Sequence, residues 1–202
     1  KDVLRSAFDS SGQRCSALRV LFVQEDIAEQ LISLLLGAMA ELCVGNPQNP
    51  AHDVGPTINV QAQQALLAHI DTMRKAGRVL GQTPISPAVA AQGYYVPPTL
   101  IRLEHIGELT QEHFGPVLHL IRYRINDLDE VMESINAIGF GLTFGIHSRI
   151  NRRIKKITET IRAGNIYINR DMIGAVVGCQ PFGGLGLSGT GPKAGGPHYL
   201  HR

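Results

Sequence analysis

The chain has 202 residues, 44% apolar and 18% charged, which suits one globular domain able to bury roughly 70% of its unfolded surface. Nineteen Lys and Arg against 17 Asp and Glu give a formal charge of +2, too weak a field to point to nucleic acid. The longest apolar stretch, LISLLLGAMA (31–40), is too short to cross a bilayer, and three scattered cysteines (15, 43, 179) form neither a disulfide framework nor a zinc knuckle, so a cytoplasmic protein without metal is expected.

In chain order, Asp2 to Phe8 has the pattern of a helix tail, and an opening Lys1 in place of Met suggests a piece of something longer. LRVLFVQ (18–24) is a compact apolar run suited to a buried strand. Ile27, Leu31, Leu34, Leu35, Ala38 and Leu42 predict one face of a helix, with Asp26 as its cap. VGNPQNPAHDVGP (44–56) is a loop by composition. Ala62, Leu66, Ile70 and Met73 mark a second helix ending near Gly77. YYVPPTLI (94–101) is expected to be extended but not a central strand, because of Pro97 and Pro98. VLHLIRY (117–123) is a strand, Leu128 to Ile135 a helix, and FGLTFGI (140–146) a strand. Ile150, Ile154, Ile157 and Ile161 mark a helix closed by Gly164, and NIYIN (165–169) a last strand. The alternation predicts an α/β fold with a mostly parallel sheet flanked by helices, in one domain over 1–202.

Two motifs resolve to their plain readings. Gly184, Gly186 and Gly189 spell G-x-G-x-x-G, but TGPKAGGPHYLHR follows, without the helix or the acid that a dinucleotide-binding turn needs. The basic run RINRRIKK (149–156) reads as a solvated helix face, since isoleucines at helical spacing account for its other side. Cys15, in SSGQRCSALRVLFV, is different. It lies in a polar link between a helix and a buried strand, where an α/β enzyme presents side chains at a sheet edge. Backbone N–H groups there can stabilise a thiolate or an oxyanion. A lone cysteine is more often inert, the reading given to Cys43 between Leu42 and Val44.

GQRCSA resembles the nucleophile motif of the aldehyde dehydrogenase superfamily. VGNPQNPAHDVGP, GYYVPPTLI, QEHFGPVLHL, NAIGFGLTFGIHS, AGNIYIN and PFGGLGLSG resemble its later motifs, in the same order and over nearly the whole chain. The tail SGTGPKAGGP narrows the likeness to the L-glutamate γ-semialdehyde (1-pyrroline-5-carboxylate) dehydrogenases of proline catabolism, in their bacterial bifunctional form.

The resemblance implies that Cys15 is the catalytic nucleophile and that NAD is the cofactor. Glu112 would meet the nicotinamide ribose and Phe114 would pack near the nicotinamide. Ser16, Gly174 and Ala175 would anchor a substrate carboxylate, with Phe182 on its aliphatic part. It also implies partners: a small-molecule aldehyde substrate, an N-terminal Rossmann half, other copies of the chain, and a proline dehydrogenase domain in the parent. The family's water-activating glutamate and oxyanion asparagine precede the cysteine, and only 14 residues do so here. The 202-residue chain alone is therefore expected to be inactive and to bind NAD weakly or not at all. Two other readings remain open: a different semialdehyde or aliphatic aldehyde as substrate, or an inactive scaffold that associates with other copies.

Overall fold

The computed structural model describes residues 1–189 and 191–201. Thr190, within the SGTGPKAGGP motif, and Arg202 lie outside the described residues. The chain divides into two compact units, residues 3–125 and 126–202.

The first unit is built on a four-stranded sheet in the order β1-β4-β3-β2, with β1 Val20–Gln24, β2 Val79–Gln82, β3 Thr99–Leu103 and β4 Val117–Tyr123. β4 pairs in parallel with β1 and β3, and only β2 runs antiparallel. β4 is buried on both faces, as a parallel sheet covered by helices requires. Its residues alternate with the period of two that a strand imposes. Leu118 and Leu120 join the core with α1 (Asp2–Phe8) and α2 (Glu25–Ala40), while Val117 and Ile121 join the opposite core with α3 (Val60–Lys75). Leu118 and Leu120 are fully buried, each worth about 1.5–3 kcal/mol relative to exposure.

Several expectations need correction. α2 buries Ala28, Ile32, Leu35 and Met39, leaving Ile27 and Leu34 exposed. Both stripes are apolar, and the packing of β1 and β4 selects one. Gln24, not Asp26, is the N-cap; Asp26 lies in the first turn and accepts from Gln24 Nε2. The segment after Pro98 enters the sheet at once as the internal strand β3. The prolines stop short of the ladder, so they do not exclude it. β2 escaped notice because Gly81 breaks its apolar run at a bulge. Cys43 is exposed, not buried: its N–H donates to Asp53 Oδ2 in the turn after α2.

The second unit holds α5 (Leu128–Ala137), α6 (Asn151–Thr160) and two small sheets; α4 is a single turn at Pro87–Ala90 in the first unit. The run 140–146 divides into β5 (Phe140–Gly141) and β6 (Thr143–Ile146). β6 pairs in parallel with β7 (Asn165–Ile168), and β5 pairs antiparallel with β8 (Leu185–Gly186). Met132, Ile146, Ile157 and Ile161 form its core. The basic residues of α6 stand on the other side, Lys155 paired with Glu159 and Lys156 with Asp129. α6 does not end on a left-handed Gly164: its cap, Ile161, is extended. Gly164 is required for another reason, since a Cβ there would overlap the Gly183 carbonyl. The G-x-G-x-x-G stretch carries β8 and folds tightly on itself, with the Gly189 Cβ position blocked by Gly184 O. Only a 3-10 turn, Tyr199–His201, follows it among the described residues. No helix among them is long and apolar enough to cross a membrane.

Candidate active site

α1 ends in a backbone that ordinary residues avoid. Ser10, Ser11 and Gly12 are successively left-handed, at φ 54°, 57° and 64°. Such a conformation costs a non-glycine residue about 1–2 kcal/mol, so its surroundings must impose it. Ser11 Oγ donates to Gly55 O at 2.8 Å. Gln13 Nε2 donates to Pro56 O at 3.2 Å, while its Oε1 accepts from Ile58 N at 2.8 Å. The end of the 44–56 loop, at Gly55 and Pro56, together with Ile58 is therefore a clamp on the segment that leads into the cysteine. At Gly12 both reasons for glycine coincide: the positive φ, and a Cβ position that overlaps Gly115 O. The outcome is a turn that exposes Cys15 and buries Ser16 at 5% exposure. Ser16 already has an interaction within the chain.

The residue that organises this turn is one that sequence reasoning missed, Arg19. Its Nη1 donates to Gly12 O at 2.5 Å and its Nη2 to Arg14 O at 3.0 Å. Its Nε donates to Glu112 Oε1 at 3.0 Å, and its guanidinium lies 4.5 Å from the Phe114 ring centroid. The expected nucleophile and both expected cofactor residues are thus brought together in the first unit. Phe114 is 42% exposed, so its ring is accessible to a bound group. Burial pulls the Arg19 pKa below its ordinary value, against the opposing effects of Glu112 and the Cys15 thiol.

Behind Arg19 stand three imidazoles. His119, in the middle of β4, is 1% exposed. Its Nδ1 lies 3.0 Å from Arg19 O, and its Nε2 lies 2.9 Å from His69 Nε2. A carbonyl only accepts, so His119 Nδ1 carries the hydrogen and His69 Nε2–H donates to His119 Nε2. His113 stacks on His69 with centroids 3.5 Å apart. Burial pushes His119 down to about 3, although its bond to Arg19 O opposes the shift. Burial and then His113 push His69 down to about 4. All three are lowered, His113 by burial and by Arg19. A histidine inside VLHLIRY was the available signal, since a buried polar group needs a partner.

The second unit carries the other expected substrate residues. Gly174 is left-handed, at φ 71°, and open space surrounds its Cβ position, so it serves the turn and not a close backbone approach. Arg170 Nη2 donates to Ile173 O at 3.3 Å and more weakly to Gly174 O at 3.5 Å. Ala175 is half-buried, and the next N–H, of Val176, is taken by Gln180 Oε1 at 2.9 Å. Phe182 is half-buried and exchanges two backbone hydrogen bonds with Ala194. Asn165, also missed, staples the PFGG loop: its Nδ2 donates to Pro181 O at 2.9 Å and its Oδ1 accepts from Gly183 N at 3.1 Å. Lys193 Nζ donates to Gly164 O beside it.

Comparison with known proteins gives the family. The model of the aldehyde dehydrogenase family matches residues 1–202. The chain is 56% identical over 205 residues to the bifunctional protein PutA of Salmonella typhimurium, covering 100% of this chain and 16% of that protein. Among solved structures, PutA of Bradyrhizobium japonicum superposes with a TM-score of 0.93 at 53% identity, over 98% of this chain and 20% of that one. A 1-pyrroline-5-carboxylate dehydrogenase from Thermus, with bound NAD, superposes with a TM-score of 0.87 at 32% identity, over 99% of this chain and 38% of that one. The chain thus spans well under half of these relatives, and across its own length it belongs to the aldehyde dehydrogenase family.

Proposed function

We propose that this chain is the thiol-bearing catalytic part, one domain over 1–202, of an NAD-dependent L-glutamate γ-semialdehyde dehydrogenase of proline catabolism. The observation that carries the reading is the exposed Cys15 on a strained, clamped turn, held beside Glu112 and the exposed Phe114 by Arg19. The Cys15 thiolate attacks the aldehyde carbon, forming a C–S bond and a tetrahedral thiohemiacetal. The backbone N–H of Cys15 is assigned to the developing oxyanion; one such donor is typically worth ~10²–10³ in rate. Glu112 and Phe114 would hold NAD, which when bound would supply the hydride acceptor for oxidation of the Cys15 thiohemiacetal to a thioester. Water then releases glutamate and regenerates the thiol.

The residues present suit one end of the cofactor. Glu112 Oε1 accepts from Arg19, which holds the carboxylate in place; Glu112 is assigned to a ribose hydroxyl, and the Phe114 ring offers an apolar surface for the nicotinamide. Ser16, Gly174 and Ala175 are assigned to the substrate carboxylate and Phe182 to its methylene groups. The Rossmann half, the water-activating glutamate, further copies of the chain and a proline dehydrogenase domain are assigned to the intact protein, in the cytoplasm.

The test is NADH formation by the intact enzyme carrying this chain, with glutamate semialdehyde and an uncharged aldehyde of equal length. A preference of roughly 10²-fold for the semialdehyde is expected, since an uncharged aldehyde forgoes the hydrogen bonds that a charged carboxylate would accept. Cys15→Ser should abolish turnover, and Ser16→Ala should narrow the preference. Retained turnover in Cys15→Ser, or a wild-type preference for the uncharged aldehyde, defeats the reading.

A further inference from the structure

We infer that Arg19 is the positioning residue of this enzyme: its guanidinium fixes the Cys15 turn and the Glu112–Phe114 segment in one geometry.

The geometry uses nearly all that a guanidinium offers. Five N–H groups in a rigid fork can serve several acceptors at once, and a flat face can lie on an aromatic ring. Arg19 reaches two carbonyls of the nucleophile segment, Gly12 O and Arg14 O, and touches Gly115 O weakly at 3.4 Å. On the other side it holds the Glu112 carboxylate and the Phe114 ring. These acceptors belong to two stretches about 100 positions apart in the chain, joined here by one side chain. The Arg19 side chain is only 17% exposed, so its bonds are partly shielded from water, unlike an ordinary surface pair. Its backbone is also held: Arg19 O accepts from both the backbone N–H of His119 and His119 Nδ1. The sheet therefore fixes where Arg19 starts, and the fork fixes what it reaches. A lysine would keep the charge and could not reproduce the fork. A shift of about 1 Å in a nucleophile can cost about 10²-fold in rate, so the loss should appear in kcat.

The inference rests on the proposed dehydrogenase reaction, and its test has a readout that does not. In the intact enzyme, Arg19→Lys and Arg19→Met are compared with wild type and with Glu112→Ala. Hydrogen exchange is followed at the turn amides of Gln13 and Ala17, which bond to Ser10 O and Arg14 O, and at the amides of β4. Both Arg19 variants should raise exchange at the turn tenfold or more and leave β4 unchanged. kcat for the semialdehyde should fall roughly tenfold in Arg19→Lys and further in Arg19→Met, with KM for the aldehyde within about twofold. Equal acceleration at the turn and in β4 would make Arg19 a merely structural residue and overturn the inference. So would unchanged exchange in both variants, or full rescue of kcat by lysine. If Glu112→Ala leaves KM for NAD unchanged, the ribose assignment falls, while the exchange data still decide the role of Arg19.

Discussion

His119 should make the first unit sensitive to acid, by an amount that follows from its position. It is buried in β4, accepts from His69 and donates to Arg19 O, and Arg19 and His113 also oppose a charge there. Its pKa falls from 6.5 to about 3 on folding. The folded state therefore binds fewer protons than the unfolded chain below pH 6.5. Stability is full above that value and is lost as pH falls toward 3. Between pH 6.5 and 5 the loss from His119 alone is about 2 kcal/mol, at roughly 1.4 kcal/mol per unit. His69 adds to it in the same direction, less strongly because it is half exposed. His119→Leu removes one of the two donors to Arg19 O, which keeps the backbone N–H at 119, and leaves His69 Nε2–H without its partner, which costs about 1–3 kcal/mol at pH 7. It also removes the buried base and releases His69. The variant should be less stable at pH 7 and lose about 2 kcal/mol less than wild type between pH 7 and pH 5. Urea unfolding followed by circular dichroism at the two pH values measures both quantities, in a chain that has no tryptophan to report by fluorescence. Equal losses in the two proteins, within about 0.5 kcal/mol, would refute the neutral buried pair.

Two other substitutions test the close contacts that shape the turn and the loop. Gly12→Ala puts a Cβ onto Gly115 O at a left-handed φ, so urea unfolding should report a loss of about 2–5 kcal/mol; a loss below about 1 kcal/mol would mean that the two segments separate easily. Asn165→Ala leaves Pro181 O and Gly183 N unpaired, at about 1–3 kcal/mol each. The Gly183 amide should then exchange at least tenfold faster, and an unchanged rate would remove Asn165 from the loop's support.

Most elements were readable because their patterns are local. Strand β4, helix α3 and the isoleucine stripe of α6 show themselves in short windows of period two or 3.6. Cys15 in its polar link, and the collinear family motifs from GQRCSA to PFGGLGLSG, were equally visible in one dimension. What remained hidden depends on partners distant in sequence. Which apolar stripe of α2 turns inward was decided by the sheet beneath it, since Ile27 and Leu34 are as apolar as Ile32 and Leu35. Strand β3 was masked by the prolines before it, and its place inside the sheet is set by pairing with β4. Arg19 looks in sequence like any basic residue before a strand. It becomes the organiser of the turn only because folding sets Gly12, Arg14, Glu112 and Phe114 around one guanidinium. The sequence by itself determined the elements and the chemical groups, because propensity and periodicity act within a few residues. The tertiary structure decided which of those groups meet, because a hydrogen bond depends on distance in space and not on distance along the chain.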